Sequence, residues 1–462
     1  MLFNSLEFPV FLAIVLLLFW LLKGTKQKQL LLLGASLFFY GYWKWTYLLL
    51  LLATASVDYL AAIGIGQTQK KQNRLALLSL SILANLGVLG FFKYSHFLGS
   101  AFFFSPGEAP SWLPILLPVG ISFYTFQAMS YVIDVYRNRM SAEKSWTDYM
   151  LFITFFPQLV AGPIERAPHL LSQLKKPELT KNFVPGALLL LSGFFKKILI
   201  ADRLAVYVDA AYNQSETCTA PQLLLATVFF GFQIYCDFSG YSDIARGCAS
   251  FFGINLMQNF RSPYSAKDLG DFWRRWHISL SGWFRDYLYQ PLGGGHKGNL
   301  QMAFNIMLVF SVSGLWHGAN WTFLAWGIWH GAGLVFQRFF RKSFQAAGPA
   351  LSKISTLIWV FMGWFFFRVN NLEEAEVLGR KLISLPDWTL NSFNLFHSSS
   401  EMAVALSGIT LLMLSEKFNS DEIAVRFQNL SFKKAAIIFT SAIMVFLWFG
   451  HFKGGDFIYF QF

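Results

Sequence analysis

The stretch FPVFLAIVLLLFWLL, residues 8–22, runs fifteen residues without a charge or an amide. A helix resting on a soluble core shows an apolar stripe with polar residues opposite, and this run has no polar face. Its surroundings must be apolar on every side, which for a run of this kind means lipid. Composition carries the point to the whole chain. Of 462 residues, 55% are hydrophobic, 18% aromatic and 13% charged. Soluble domains carry about 25% charged residues, so there is too little polar sequence here to coat the apolar sequence. The three cysteines, Cys218, Cys236 and Cys248, form no Cys-x-x-Cys pair, which leaves neither a disulfide framework nor a zinc signature.

A spanning helix needs about 20 mostly apolar residues. On that criterion candidate spans lie near 7–22, 29–45, 47–66, 75–98, 113–135, 185–211, 221–236, 300–316, 320–340, 353–369, 401–417 and 434–451. Several are short, aromatic or broken by glycine, so roughly ten to twelve crossings are expected. The net charge is +12, but the basic residues fall in short clusters between apolar runs. That pattern sets membrane topology, and no basic stripe remains for a nucleic-acid partner. Lys23, Lys26 and Lys28 follow the first span, Lys70, Lys71 and Arg74 the third, and Arg137, Arg139 and Lys144 the fifth, whereas residues 99–112 contain Glu108 and no Lys or Arg. Because its charges follow the apolar run, the first segment reads as a retained span with its N-terminus outside, not a cleaved signal. From Trp146 to Gly298 the apolar pieces are short and interrupted, which predicts re-entrant or interfacial structure lining a chamber. No transporter-like repeat is visible. The expected architecture is an all-α polytopic integral membrane protein, residues 1–462 forming one domain.

Eight histidines are present. His96, His169, His296, His397 and His451 lie in loops or near span ends and read as solvated or interfacial. His317, in SGLWHGANWTF, lies in an apolar region between Gly314 and Gly318. An ionisable group at membrane depth is a functional candidate, and a buried imidazole is kept in its neutral, base-competent form. The competing reading is a packing histidine bonded to a carbonyl. His277 lies in DLGDFWRRWHISLSGWFRDYLYQPLGG. Taken as a helix, this stretch puts Asp271 with Arg275, and Trp273 with His277, on shared faces. Its arginines, Arg274, Arg275 and Arg285, suit an interfacial helix or the entrance for an anionic ligand. His330, thirteen residues past His317, would lie on another face of a continuous helix. No carboxylate stands at ligand spacing, so no metal site is expected. Asp237 and Asp243 in YCDFSGYSD offer a pair of acids, but Gly240 between them suggests a break, and the favoured reading is hydrogen bonding that orders a kink.

These segments together resemble the membrane-bound O-acyltransferase (MBOAT) family, and within it the branch of the alginate O-acetyltransferase membrane subunit. The resemblance rests on LPVGISFYTFQAMSYVIDVYR, FFPQLVAGPIER, GFFKKILIADRLA, QIYCDFSGYSDIA, NFRSPYSAKDLGDFWRRWHISLSGWFRDYLYQPLGG and SGLWHGANWTFLAWGIWHG, in that order between residues 117 and 331. It implies a multi-pass protein of the bacterial inner membrane with helices around a central chamber. The family's catalytic histidine falls on His317 in its Leu-Trp-His-Gly motif. A second polar residue, concerned with orientation or acceptor contact, falls on His277. The resemblance also implies no permanently bound cofactor, and an acyl donor as co-substrate, either acetyl-CoA or an acyl-carrier thioester. The expected partners are membrane lipid, a periplasmic SGNH-type acetyltransferase or acceptor protein, and an exported polysaccharide such as alginate. A flippase, or a scaffold subunit of an export complex, is the alternative that composition alone leaves open.

Overall fold

The computed structural model describes residues 1, 3–5, 7–103, 116–214, 217–346, 348–384, 399–417, 432–451 and 457–458. Among them there is no strand. The principal helices are α1 (Glu7–Leu21), α2 (Thr25–Gly41), α3 (Trp45–Gln67), α4 (Lys71–Phe102), α5 (Ile121–Tyr136), α6 (Trp146–Thr154), α7 (Ala167–Leu174), α8 (Val184–Asn213) and α9 (Ala220–Phe251). They continue as α10 (Leu269–Arg275), α11 (Ile278–Phe284), α12 (Asn299–His317), α13 (Trp321–Phe339), α14 (Pro349–Arg368), α15 (Leu372–Ile383), α16 (Ser399–Ser415) and α17 (Phe432–Phe449). His397 lies outside the described residues.

Six of these helices, α3, α4, α8, α9, α12 and α14, are long and apolar enough to cross a membrane. The chain is therefore a multi-pass membrane protein. Helices also stand at the other expected spans, α1, α2, α5, α13, α16 and α17, and within the described residues the apolar parts of α1, α16 and α17 run to 17 residues or fewer. Helix α5 is only sixteen residues long and buried at all but two of them, so protein rather than lipid surrounds it. Its apolar sequence answers to a core, which hydropathy does not distinguish from lipid.

The chain groups into two compact units. One comprises Met1–Leu190 and Ser242–Gln258, the other Leu191–Tyr241 and Asn259–Phe462. In the first, Phe8, Phe11, Phe39 and Phe156 form an aromatic cluster, Phe11 meeting Phe156 edge to face at 5.2 Å. Helices α3 and α4 are tied by Asp58, whose Oδ1 accepts hydrogen bonds from Ser81 Oγ (2.6 Å) and Asn85 Nδ2 (2.7 Å). The segment between Pro157 and Pro163 is buried. Just beyond it, the fully buried Glu165 accepts from the Met257 N–H at 2.5 Å and meets His169 Nδ1 at 2.7 Å. That hydrogen bond holds the His169 imidazole above its ordinary range.

One expectation is overturned in the stretch around Gly240. Asp237, Gly240 and Asp243 lie in an uninterrupted α9, so the helix does not break at Gly240. Gly240 is there for close approach: a Cβ would stand 2.8 Å from the Gly193 carbonyl oxygen. Small residues of this kind let helix backbones meet.

Candidate active site

All the chemistry-bearing groups described next belong to the second unit. Helices α12 and α13 form a tight antiparallel pair. A Cβ on Gly314 would stand 2.2 Å from the Phe323 carbonyl oxygen, and one on Gly327 2.2 Å from that of Phe310. Only glycine permits that spacing. The pair turns through Gly318, Ala319 and Asn320, where Asn320 caps α13 by accepting from the Thr322 N–H at 3.1 Å. His317 is thus the last residue of α12, held where the helix ends at the turn.

His317 is 3% exposed. Its ring lies against Trp316 (5.0 Å), Trp326 (4.9 Å) and Phe367 (5.4 Å), and 6.4 Å from the ring of His277. The structure therefore brings together the two histidines singled out in the sequence, although forty positions separate them.

His277 reaches this place by a route that the helical reading missed. Helix α10 ends at Arg275, and His277 adopts a left-handed conformation (φ 43°) as the N-cap of α11. Trp273 and His277 do not share one helix face, because the chain turns between them. The Asp271–Arg275 pair does form, at 3.0 Å. Arg285 is engaged by Asp286 at 2.8 Å. Left-handed backbone is costly for residues other than glycine, and where it occurs it clusters at functional sites. Phe238 packs edge-on against the His277 ring at 4.6 Å. With 1% exposure, burial pulls this imidazole down to about 3, so it stays neutral.

His330 is fully buried, ringed by Trp273 and Trp326, each at 5.0 Å. The expectation that it lies apart from His317 assumed a continuous helix. The break at Gly318–Asn320 folds α13 back, so both histidines flank the indole of Trp326. Gly363 makes room for it, since a Cβ there would come within 2.3 Å of His330 Nε2.

A cluster of which only Asp237 was singled out in the sequence stands nearby. Lys197 Nζ lies 2.9 Å from Asp202 Oδ1 and 2.5 Å from Asp237 Oδ1, and all three side chains are almost completely buried. The backbone explains the geometry. Residues 195–201 wind as a π-helix, and the Asp202 N–H bonds back to the Lys197 carbonyl, which stacks a residue five positions on above Lys197. Asp237 Oδ2 also accepts the Ile458 N–H at 2.7 Å. Three ionisable residues inside apolar runs were the available signal. This triad lines a cavity of about 420 Å³ whose wall continues through Gly318 and Asn320, the residues that follow His317, and through Phe323 and Phe367.

The chain can be placed by its relatives. The model of the membrane-bound O-acyltransferase family, MBOAT, matches residues 39–370. The sequence is 39% identical over 404 residues to the probable alginate O-acetylase of Azotobacter vinelandii, covering 85% of this chain and 79% of that one. It is 38% identical over 402 residues to the protein of the same name in Pseudomonas putida, covering 85% and 81%. It is 35% identical over 419 residues to the peptidoglycan O-acetyltransferase of Helicobacter pylori, covering 84% and 79%. The chain belongs to the membrane-bound O-acyltransferase family. It is an enzyme of acyl transfer to hydroxyls, working with an acyl donor as co-substrate.

Proposed function

We propose that the protein transfers an acetyl group from a cytoplasmic thioester, acetyl-CoA or an acyl-carrier thioester, toward O-acetylation of an exported polysaccharide at the bacterial inner membrane. The observation that carries this reading is a pair of buried histidines. His317 sits at a helix end beside a cavity, with His277 6.4 Å away ring to ring. An alcohol is a poor nucleophile at its own pKa, and a positioned imidazole removes its proton as it attacks. His317 takes the hydroxyl proton while the new C–O bond forms at the thioester carbonyl. The C–S bond then breaks, and the proton passes to the departing thiolate. His277 orients the acceptor or its partner ring. The relatives named for alginate and for peptidoglycan support a glycan as the final acceptor. The immediate acceptor is a hydroxyl of that glycan or of a periplasmic SGNH-type partner.

The test uses membrane vesicles loaded with labelled acetyl-CoA, with label counted on an outer acceptor. His317→Ala is expected to lower transfer by about 10²–10⁴-fold, with membrane insertion unchanged. Full transfer by that variant would sink the assignment.

A further inference from the structure

His277 holds left-handed backbone (φ 43°) as the N-cap of α11, yet its side chain makes no capping hydrogen bond there. The first N–H groups of a helix need an acceptor from elsewhere when the N-cap side chain supplies none. Here that acceptor is Asn259, in the stretch NFRSPYS. The Ile278 N–H donates to the Asn259 carbonyl at 2.9 Å. The Ser279 N–H (3.4 Å) and Ser279 Oγ (2.6 Å) both donate to Asn259 Oδ1. Asn259 and Ser279 are each 1% exposed, so the pairing is made away from water, where a lost partner is costly. On the other side of His277, the Arg261 N–H donates to the Arg275 carbonyl at 3.0 Å. Between these two backbone bonds, Trp276 and His277 stand opposite Phe260 alone. Two residues facing one is the count of a bulge, a device that re-aims a side chain. Phe260 packs on Trp276 at 5.1 Å and on Phe238 at 5.0 Å, and Phe238 lies on the His277 ring at 4.6 Å.

We propose that Asn259 is a positioning residue for acyl transfer, acting through His277, an assignment that rests on the role given to His277 above. The backbone at His277 turns the imidazole toward His317, 6.4 Å away ring to ring. Left-handed backbone is unfavourable for a histidine by itself, so it persists only while the surrounding bonds over-determine it. Asn259 supplies that restraint from both of its oxygens. Its main-chain oxygen fixes residue 278 and its side-chain oxygen fixes residue 279. Relaxed to ordinary backbone, residue 277 would carry its ring off the line to His317. With the cap supplied by Asn259, the His277 imidazole does not have to serve as one.

A double-mutant cycle in the vesicle assay tests this, with each rate expressed per amount of folded protein recovered in detergent. Asn259→Ala is expected to lower the maximal transfer rate about ten- to hundredfold, the cost of a ring displaced by about an ångström, with the KM for acetyl-CoA unchanged. Ser279→Ala, which removes only the Oγ bond, should lose less. Asn259→Asp keeps an accepting oxygen and should transfer faster than Asn259→Ala. In a His277→Ala background, Asn259→Ala should cost nothing further, because a residue acting only through His277 then has nothing left to position. An equal loss in both backgrounds, native rates in Asn259→Ala, or an Asn259→Asp no better than the alanine variant would each overturn the proposal. Native transfer by His277→Ala would remove it together with the role of His277. The acyl-transfer reading is decided separately, by His317→Ala in the same vesicles.

Discussion

The backbone at His277 is where sequence reasoning and structure part most informatively. Helical spacing placed Asp271 against Arg275 correctly, because both lie in α10. It failed two residues later, because nothing in WRRWHIS announces a left-handed histidine. Gly and Asn are the usual signals for that conformation, and neither is present. A burial-driven shift at the same residue gives a test. The folded imidazole titrates at about 3 against an ordinary 6.5. With the folded value depressed, stability is fully present above pH 6.5 and drains away as pH falls toward 3, because only the unfolded chain takes up the proton. At pH 5 the loss is about 2 kcal/mol, at about 1.4 kcal/mol per pH unit. His277→Asn tolerates the backbone and does not titrate, so its thermal unfolding in detergent should fall less between pH 7 and pH 5 than that of the native protein. His277→Ala shares the flat profile but costs a further 1 kcal/mol or so for left-handed alanine. Parallel slopes for the native protein and His277→Asn would contradict the assignment of a neutral buried histidine.

At the scale of elements, apolar runs located most helices to within a few residues. The expected span 300–316 is α12, and 353–369 is α14. What sequence could not supply was the partner of each polar residue. Asp237 reads as a kink former when its helix is viewed alone, and becomes half of an ion pair once α8 is laid beside it. The same holds for Lys197, whose register toward Asp202 depends on a π-helical turn that no periodicity reveals. For the histidines the legible part was the motif, and the illegible part was the hairpin that brings His317 and His330 to one indole. That hairpin depends on glycine. Gly314→Ala and Gly327→Ala each drive a methyl group onto a carbonyl oxygen at the α12–α13 contact, and overpacking of this sort costs about 1–3 kcal/mol. Because α12 ends on His317, the displacement carries to the ring. Both variants are expected to unfold at lower temperature in detergent and to lose transfer activity beyond their loss of folded protein. Gly87→Ala, where nothing lies within 4 Å, is the control, and its stability should hold or rise slightly. Native activity in Gly314→Ala would show that the close approach does not position the histidine.

At the scale of the molecule, a single orientation has to satisfy every loop, and this is a stronger constraint than any one span. The expected orientation, with the N-terminus outside, would put the basic stretches at 23–28, 68–74 and 338–342 on the cytoplasmic side and residues 217–219 and 318–320, which carry no Lys or Arg, on the outer side. The proposed transfer, from a cytoplasmic thioester to a hydroxyl on an exported acceptor, requires a site reached from both faces. The orientation can be read with three single cysteines at exposed positions, the native thiols being buried. Thr217→Cys should react with an impermeant maleimide in intact cells. Gln69→Cys and Ser343→Cys should react only once the membrane is opened. Reaction of position 69 or 343 in intact cells, together with 217, would break the alternation.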